Sequence, residues 1–250
     1  SSYYYKDTLI TGFRGSHWLS GSCTQEYGSM AVMPVSGQLV CNPAKRGSKY
    51  DHATEISKPN YYRVELETYH ITSEMTATTR CGLLRFTFQN DGDGHVIVNP
   101  NSDEGQGFVQ VIPEKNEIVG FNPIHRIYQG WGKPAGFSGY FVMRMEKTAS
   151  SYGVYSEDQI SSGKTQLENQ PNLGAYFSFK VKKGEQVTVK IGTSFVSIDQ
   201  ARKNLDTEMP DFNFEKAQQN LKNIWNEILS KIEVERKNTE ELVKFYTAMY

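Results

Sequence analysis

Hydrophobic and polar positions alternate through most of the first 197 residues. In the stretch 61–69, Tyr62, Val64 and Leu66 fall on one face and Arg63, Glu65 and Glu67 on the other, the period of two that a half-buried strand requires. Short runs of the same kind, rich in Val, Ile, Tyr, Phe and Thr, recur at 82–88, 95–99, 107–112, 116–121, 139–146, 174–180 and 185–195. Between them stand NDGDG (90–94), PEKN (113–116) and KKGE (182–185). Each supplies residues that tolerate a tight reversal, and the first is expected to be a hairpin turn. Strands at hairpin spacing without intervening helices predict a mainly β fold, an antiparallel β-sandwich rather than a parallel α/β sheet.

The period changes near Ser197. All 21 glycines precede residue 199, and 18 of the 52 residues from there on are charged, against 37 of the 198 before it, so two architectures are expected to join at this point: a sandwich domain over 1–197 and a helical segment over 198–250. Ser197 with Gln200 predicts a capping box opening a short helix through 198–205. Pro210 and Asp211 are expected to open a second, whose Phe214, Ala217, Leu221, Ile224, Trp225, Ile228 and Ile232 recur at steps of three and four, the stripe of an amphipathic helix. Asn238, Glu240 and Glu241 predict the start of a third, bearing Leu242, Phe245, Tyr246 and Met249. With no C-cap glycine or basic last turn, that helix is expected to be cut rather than naturally ended.

A net charge of −1 gives no electrostatic reason to expect nucleic acid as a partner. A mean hydropathy of −0.56, with no apolar run near 18 residues, predicts no membrane span. The first ten residues lack a basic and an apolar region, so any signal peptide is expected to precede them. Cys23, Cys41 and Cys81 are too few and too dispersed for a zinc site; they are expected to be buried or loop thiols, with one disulfide possible and its pairing open. The five histidines show no ligand spacing. A calcium loop beginning at Asp91 fails because His95 stands where an oxygen ligand is required and Ser102 where the closing glutamate belongs. No carboxylate pair is spaced for acid–base work.

Two polar, aromatic stretches, 11–30 and 120–141, are too long for hairpin connections. The first carries Arg14, His17, Trp18, Gln25 and Tyr27 among small residues, and the second His125, Arg126, Tyr128, Trp131 and Phe137 among glycines and prolines. Flat apolar rings beside Arg, His and Gln donors suit a sugar, whose C–H face stacks while its hydroxyls take hydrogen bonds. A stand-alone carbohydrate-binding module would account for these loops but not for the helices; a structural or adhesive β-protein would leave the helices without a role.

The segments GFRGSHWLSGSCTQEYGSMAVMP, YYRVELETYHITSEMTATTRCGLLRFTF, GTSFVSIDQARKNLDTEMP and WNEILSKIEVE followed by FYTAMY occur in this order over nearly the whole chain. Together they resemble glycoside hydrolase family 92, the calcium-dependent exo-α-mannosidases. The resemblance implies a supersandwich-like N-terminal domain, linker helices and a C-terminal (α/α)6 barrel that supplies the general acid, the base and the calcium ligands. This chain would then hold no catalytic residue and no metal. Its share would be pocket loops: Arg14, Gly15, His17, Trp18 and Ser20 from the first stretch, and His125, Trp131 and Phe137 from the second. The implied partners are a mannose-containing oligosaccharide such as an N-glycan, and the C-terminal barrel of the same protein. The implied location is secreted, periplasmic or cell-surface. Where many family members carry a Ser-His-Thr-His type of segment, this chain has RGSHWLSG, which leaves the glycosidic linkage open.

Overall fold

The computed structural model describes residues 5–14, 30–100, 105–125, 134–235 and 238–249. In chain order the strands are β1 (Leu9–Ile10), β2 (Phe13–Arg14), β3 (Met30–Ser36), β4 (Ser48–Lys49), β5 (Ile56–Lys58), β6 (Tyr61–Leu66), β7 (Ile71–Ala77), β8 (Cys81–Phe88), β9 (Gly92–Pro100) and β10 (Phe108–Ile112). They continue as β11 (Glu117–His125), β12 (Pro134–Met145), β13 (Ser151–Ser156), β14 (Gln159–Ser162), β15 (Gln166–Glu168), β16 (Leu173–Val181) and β17 (Gln186–Ser194), before helices α1 (Ile198–Glu208), α2 (Phe214–Leu229) and α3 (Thr239–Met249). A large sheet runs β15-β10-β11-β12-β17-β8-β7-β6-β5 and a small one β14-β13-β16-β9-β3-β2, with β1 and β4 paired in a separate two-stranded ribbon. Every pairing within them is antiparallel. No helix among the described residues is long and apolar enough to cross a membrane.

The alternation read from the sequence is the alternation that packs. Val64 and Leu66 are fully buried and join Phe86, Phe88, Met143 and Val189 of the large sheet against Val96, Val98, Phe177 and Phe179 of the small one. Gly94 is required between the sheets, because a Cβ there would lie 2.6 Å from the Phe179 ring and 3.0 Å from Phe88. The opposite face of the large sheet is also covered. Cys81, Leu83, Val119 and Val142 meet Ala201, Leu205, Met209 and Phe214, so α1 and the first turn of α2 form a third layer.

The reversals sort differently from the expectation. PEKN closes the β10–β11 hairpin through a 3-10 turn, with Asn116 left-handed at φ 49. NDGDG is not a hairpin turn: β8 belongs to the large sheet and β9 to the small one, so the chain crosses between sheets there. KKGE makes the return crossing from β16 to β17, and the two crossings hold each other through Lys183 N–H to Asp91 Oδ1 at 2.7 Å and Gly184 N–H to Phe88 O at 2.7 Å. Gly and Asp density marks a sharp reversal but carries no information about which strands it joins.

The stretch 120–141 is likewise not one loop. Gly120–His125 and Pro134–Phe141 extend β11 and β12, with an irregularity between Pro123 and His125. Its glycines and prolines imitate a loop; in fact Gly120 accepts the close approach of Phe108 O and the Phe141 ring, and Pro123 lies beyond Phe121, the last β11 residue paired to β10. β3, β7, β13 and β14 are strands that the pattern reading did not pick out.

In the helical segment, Ser197 Oγ accepts from Gln200 N–H at 3.0 Å, the first half of the expected capping box. The Gln200 side chain donates instead to Asn204. α2 is opened by Asn213, whose Oδ1 accepts from Lys216 N–H at 2.9 Å, rather than by Pro210 and Asp211. Asp211 caps one step earlier, accepting from Asn213 N–H.

Candidate carbohydrate-binding cleft

The two crossings close one end of the sandwich. At the other end β3 begins opposite the end of β9, Met30 against Pro100, and β8 begins at Cys81 opposite Gly192 of β17. The strand ends that bracket both polar stretches lie here too: Arg14 and Met30 for the first, His125 and Pro134, which pair with each other, for the second. A cleft of about 310 Å³ opens between the sheets at this end. Its floor is apolar, from Phe13, Met30, Tyr62, Met75, Leu84 and Ile191, and its rim carries Arg14, Asn60, Arg80 and the hydroxyls of Thr76, Thr78, Thr79 and Thr193.

Polar bonds fix that rim. Thr76 Oγ1 donates to Asn60 O at 3.0 Å, Thr193 Oγ1 to Arg80 O at 2.9 Å, and Thr78 Oγ1 to Glu208 Oε2 at 2.6 Å. Arg80 donates to the same carboxylate from its backbone N–H and from Nε. Burial pushes the Glu208 carboxyl up, but the bonds from Thr78 and Arg80 outweigh it and hold it below the usual carboxylate range. Glu74 behaves alike: burial raises it, while the Arg85 fork and the Tyr61 hydroxyl bring it down. Tyr61 itself is pushed up to about 12 by burial and by that carboxylate. A general acid needs a carboxyl that keeps its proton near neutral pH, and these two are tuned the opposite way.

Of the residues expected at the site, Arg14 lines the cleft. Phe137 stands on β12 at the same end, 42% exposed, with its ring edge-on to Phe195 at 5.9 Å. His125 ends β11 there, and its side chain lies outside the described residues, as do Gly15, His17, Trp18, Ser20 and Trp131. The pattern reading missed Phe195, which is 55% exposed, and the threonines of the β7–β8 turn. In the sequence Phe195 stands in step with Val187, Val189 and Ile191 of the same run, so alternation reads it as buried and gives no signal of its exposure.

The remaining chemistry is structural. His95 is buried, accepting from Ser178 Oγ at Nδ1 and donating from Nε2 to Gly37 O, and burial lowers its pKa. Cys41 and Cys81 are buried free thiols, each pushed up to about 12 chiefly by burial, so they are unreactive at neutral pH. Cys23 lies outside the described residues. No three His, Cys, Asp or Glu among the described residues are grouped to hold a metal ion, and a rim of guanidinium groups and hydroxyls is a poor donor set for calcium.

An antiparallel sandwich backed by helices, with an apolar-floored, hydroxyl-rimmed cleft at its open end, defines a β-sandwich domain chemically suited to a carbohydrate. The model of the glycosyl hydrolase family 92 N-terminal domain matches residues 1–194, and that of the family's catalytic domain matches residues 200–250. The chain belongs to glycosyl hydrolase family 92. It is similar to an inverting mannosidase of this family from Bacteroides thetaiotaomicron, with a TM-score of 0.88 and 28% identity over 99% of this chain and 32% of that one. An α-mannosidase of the family from the same organism, in complex with mannoimidazole, gives 0.84 and 27% over 99% of this chain and 34% of that one. An uncharacterized secreted glycosidase of Arthroderma benhamiae is 24% identical over 268 residues, 96% of this chain and 34% of its own length. The chain thus spans about a third of the length of these relatives.

Proposed function

We propose that this chain is the N-terminal, sandwich-bearing part of an exo-acting, inverting α-mannosidase. In this reading the enzyme removes terminal mannose, α-1,2-linked foremost, from N-glycans or mannans outside the cytoplasm. The observation that carries it is the likeness to an inverting mannosidase over 99% of the chain, joined to a sugar-suited cleft at the end where the two polar stretches leave the sheets. The similarity to a secreted glycosidase supports the location. The sandwich, in residues 1–197, provides walls and donors of the sugar pocket; in this reading the acid, the base and the calcium ligands come from the catalytic domain, whose family model matches residues 200–250. Inversion requires two carboxyls roughly 6.5–9.5 Å apart with a water between them. Glu74 and Glu208, locked in bridges to Arg85 and Arg80, do not serve that purpose.

The test uses a polypeptide carrying this chain with a complete family 92 catalytic domain. It should release β-mannose first from an α-mannoside, followed by NMR, and lose activity on calcium chelation. Residues 1–250 alone should release no mannose above a buffer blank, because the proton-transfer pair is absent. First release of the α-anomer, or release by the shorter chain, would overturn the reading.

A further inference from the structure

Arg46 heads the fully buried side chains by size, 1% exposed, and among the described residues its guanidinium faces no carboxylate. Its partners are neutral: Nε donates to Thr11 O at 2.8 Å, Nη1 to Cys41 O at 3.1 Å and Tyr155 Oη at 3.2 Å, and Nη2 to Asn99 Oδ1 at 2.5 Å. Burying a cation without a counter-ion is costly, so stability alone is a poor reason for an Arg at this place. What a guanidinium supplies and an apolar side chain does not is a rigid planar fork that fixes several acceptors relative to one another.

Two of those acceptors lead to the cleft. Thr11 precedes β2, whose two residues, Phe13 and Arg14, both line it and are held to β3 by two residue pairs. Asn99 adjoins Pro100, which pairs with Met30, another lining residue. Between them Gly12 is wedged: a Cβ there would lie 3.3 Å from Ala31 Cβ and 3.4 Å from Arg46 Nη2. We propose that Arg46 is a positioning residue for the cleft, its guanidinium setting where β2, and with it Phe13 and Arg14, stands against β3 and β9. Its consequence for sugar binding rests on the function proposed above; its effect on β2 does not.

Two readouts separate these. Trypsin cleavage after Arg14 in residues 1–250 reports the seating of β2, with cleavage after the buried Lys190 of β17 as the measure of global opening. Asn99→Ala should speed cleavage after Arg14 about tenfold relative to cleavage after Lys190, and Arg46→Lys, which keeps the charge and loses the fork, should do the same. Tyr155→Phe removes an acceptor on β13, which lines no part of the cleft, and should leave that ratio unchanged. In the longer polypeptide, Asn99→Ala and Arg46→Lys should raise KM for 4-nitrophenyl α-mannoside about tenfold with kcat changed far less, whereas Tyr155→Phe should leave KM alone. Cleavage after Arg14 that rises only in step with cleavage after Lys190, or an unchanged KM in Asn99→Ala, would overturn the inference. A parent enzyme inactive on mannosides would defeat the functional reading, and the proteolysis would still decide the role of Arg46.

Discussion

At Glu208 a single carboxylate joins the helix layer to the wall of the cleft. It closes α1, accepts from Thr78 and twice from Arg80, and its side chain is 14% exposed. Glu208→Gln keeps the shape and removes the charge, so it should cost about 1–2 kcal/mol, the difference between charge-assisted and neutral hydrogen bonds. The pH dependence follows from the lowered pKa. The stabilisation is complete above the ordinary value near 4.5 and fades as pH falls through the depressed folded value. Thermal melts of both forms should therefore differ at pH 7 and converge as pH falls through that depressed value; a gap that persists or widens in acid would refute the assignment. The segment EMTATTR was visible in the sequence as part of a family pattern, but its role was not. Thr78 and Arg80 matter through a carboxylate about 130 residues away, and no local spacing encodes that.

Among the elements, β11 and β17 were legible in spite of Gly120 and Gly192, whereas β3 and β13, broken by Pro34 and Gly153, were not, and neither were β7 and β14, whose polar residues hide the alternation. β3 contains Pro34, which in sequence argues against a central strand. The fold tolerates it because β2 pairs with β3 only at Ala31 and Val32, so Pro34 has no β2 partner to receive a missing N–H. β11 shows the converse, a glycine kept by packing rather than by a turn. A Cβ at Gly120 would lie 2.3 Å from Phe108 O and 2.7 Å from the Phe141 ring. Gly120→Ala must push the β10 backbone or Phe141 aside, at about 2–3 kcal/mol, which lowers Tm by about 5–10 °C in a domain of this size. A melt unchanged from the parent would show that the sheet absorbs the methyl group, contrary to the packing described.

Across the whole molecule, the break in glycine and charge near Ser197 falls between the end of β17 at Ser194 and the start of α1 at Ile198, but it does not say that the helices return onto the sandwich. Charge networks make that return. Glu117 is fully buried on the sheet and binds Arg144 and Arg202 of α1, while Arg85 bridges Glu74 and Glu215 and lies 4.2 Å over the Phe214 ring. These contacts orient α1 and the start of α2 more than they stabilise them. Farther along, the stripe leaves the sheet: Phe214 is 2% exposed, but Ile224 and Ile228 are 54 and 39% exposed, and Ile232, expected on the same helix, lies past the end of α2 at Leu229 and is 52% exposed. A period of three and four announces that a helix face is apolar, not which partner covers it. If the proposed function holds, the rest of the catalytic domain is expected to cover that face, which lies within the range matched by that domain's model. Replacing Ile224 and Ile228 together by Lys tests this. In residues 1–250 the change should be nearly neutral, within about 0.5 kcal/mol, because both side chains already meet water and Lys is at least as good a helix former. In the longer polypeptide it should cost about 3–5 kcal/mol from two buried aliphatic side chains, seen as a lower Tm and as separate unfolding of sandwich and catalytic domain. Equal effects in the two proteins would mean that the stripe stays in solvent, and that α2 connects the domains without joining their cores.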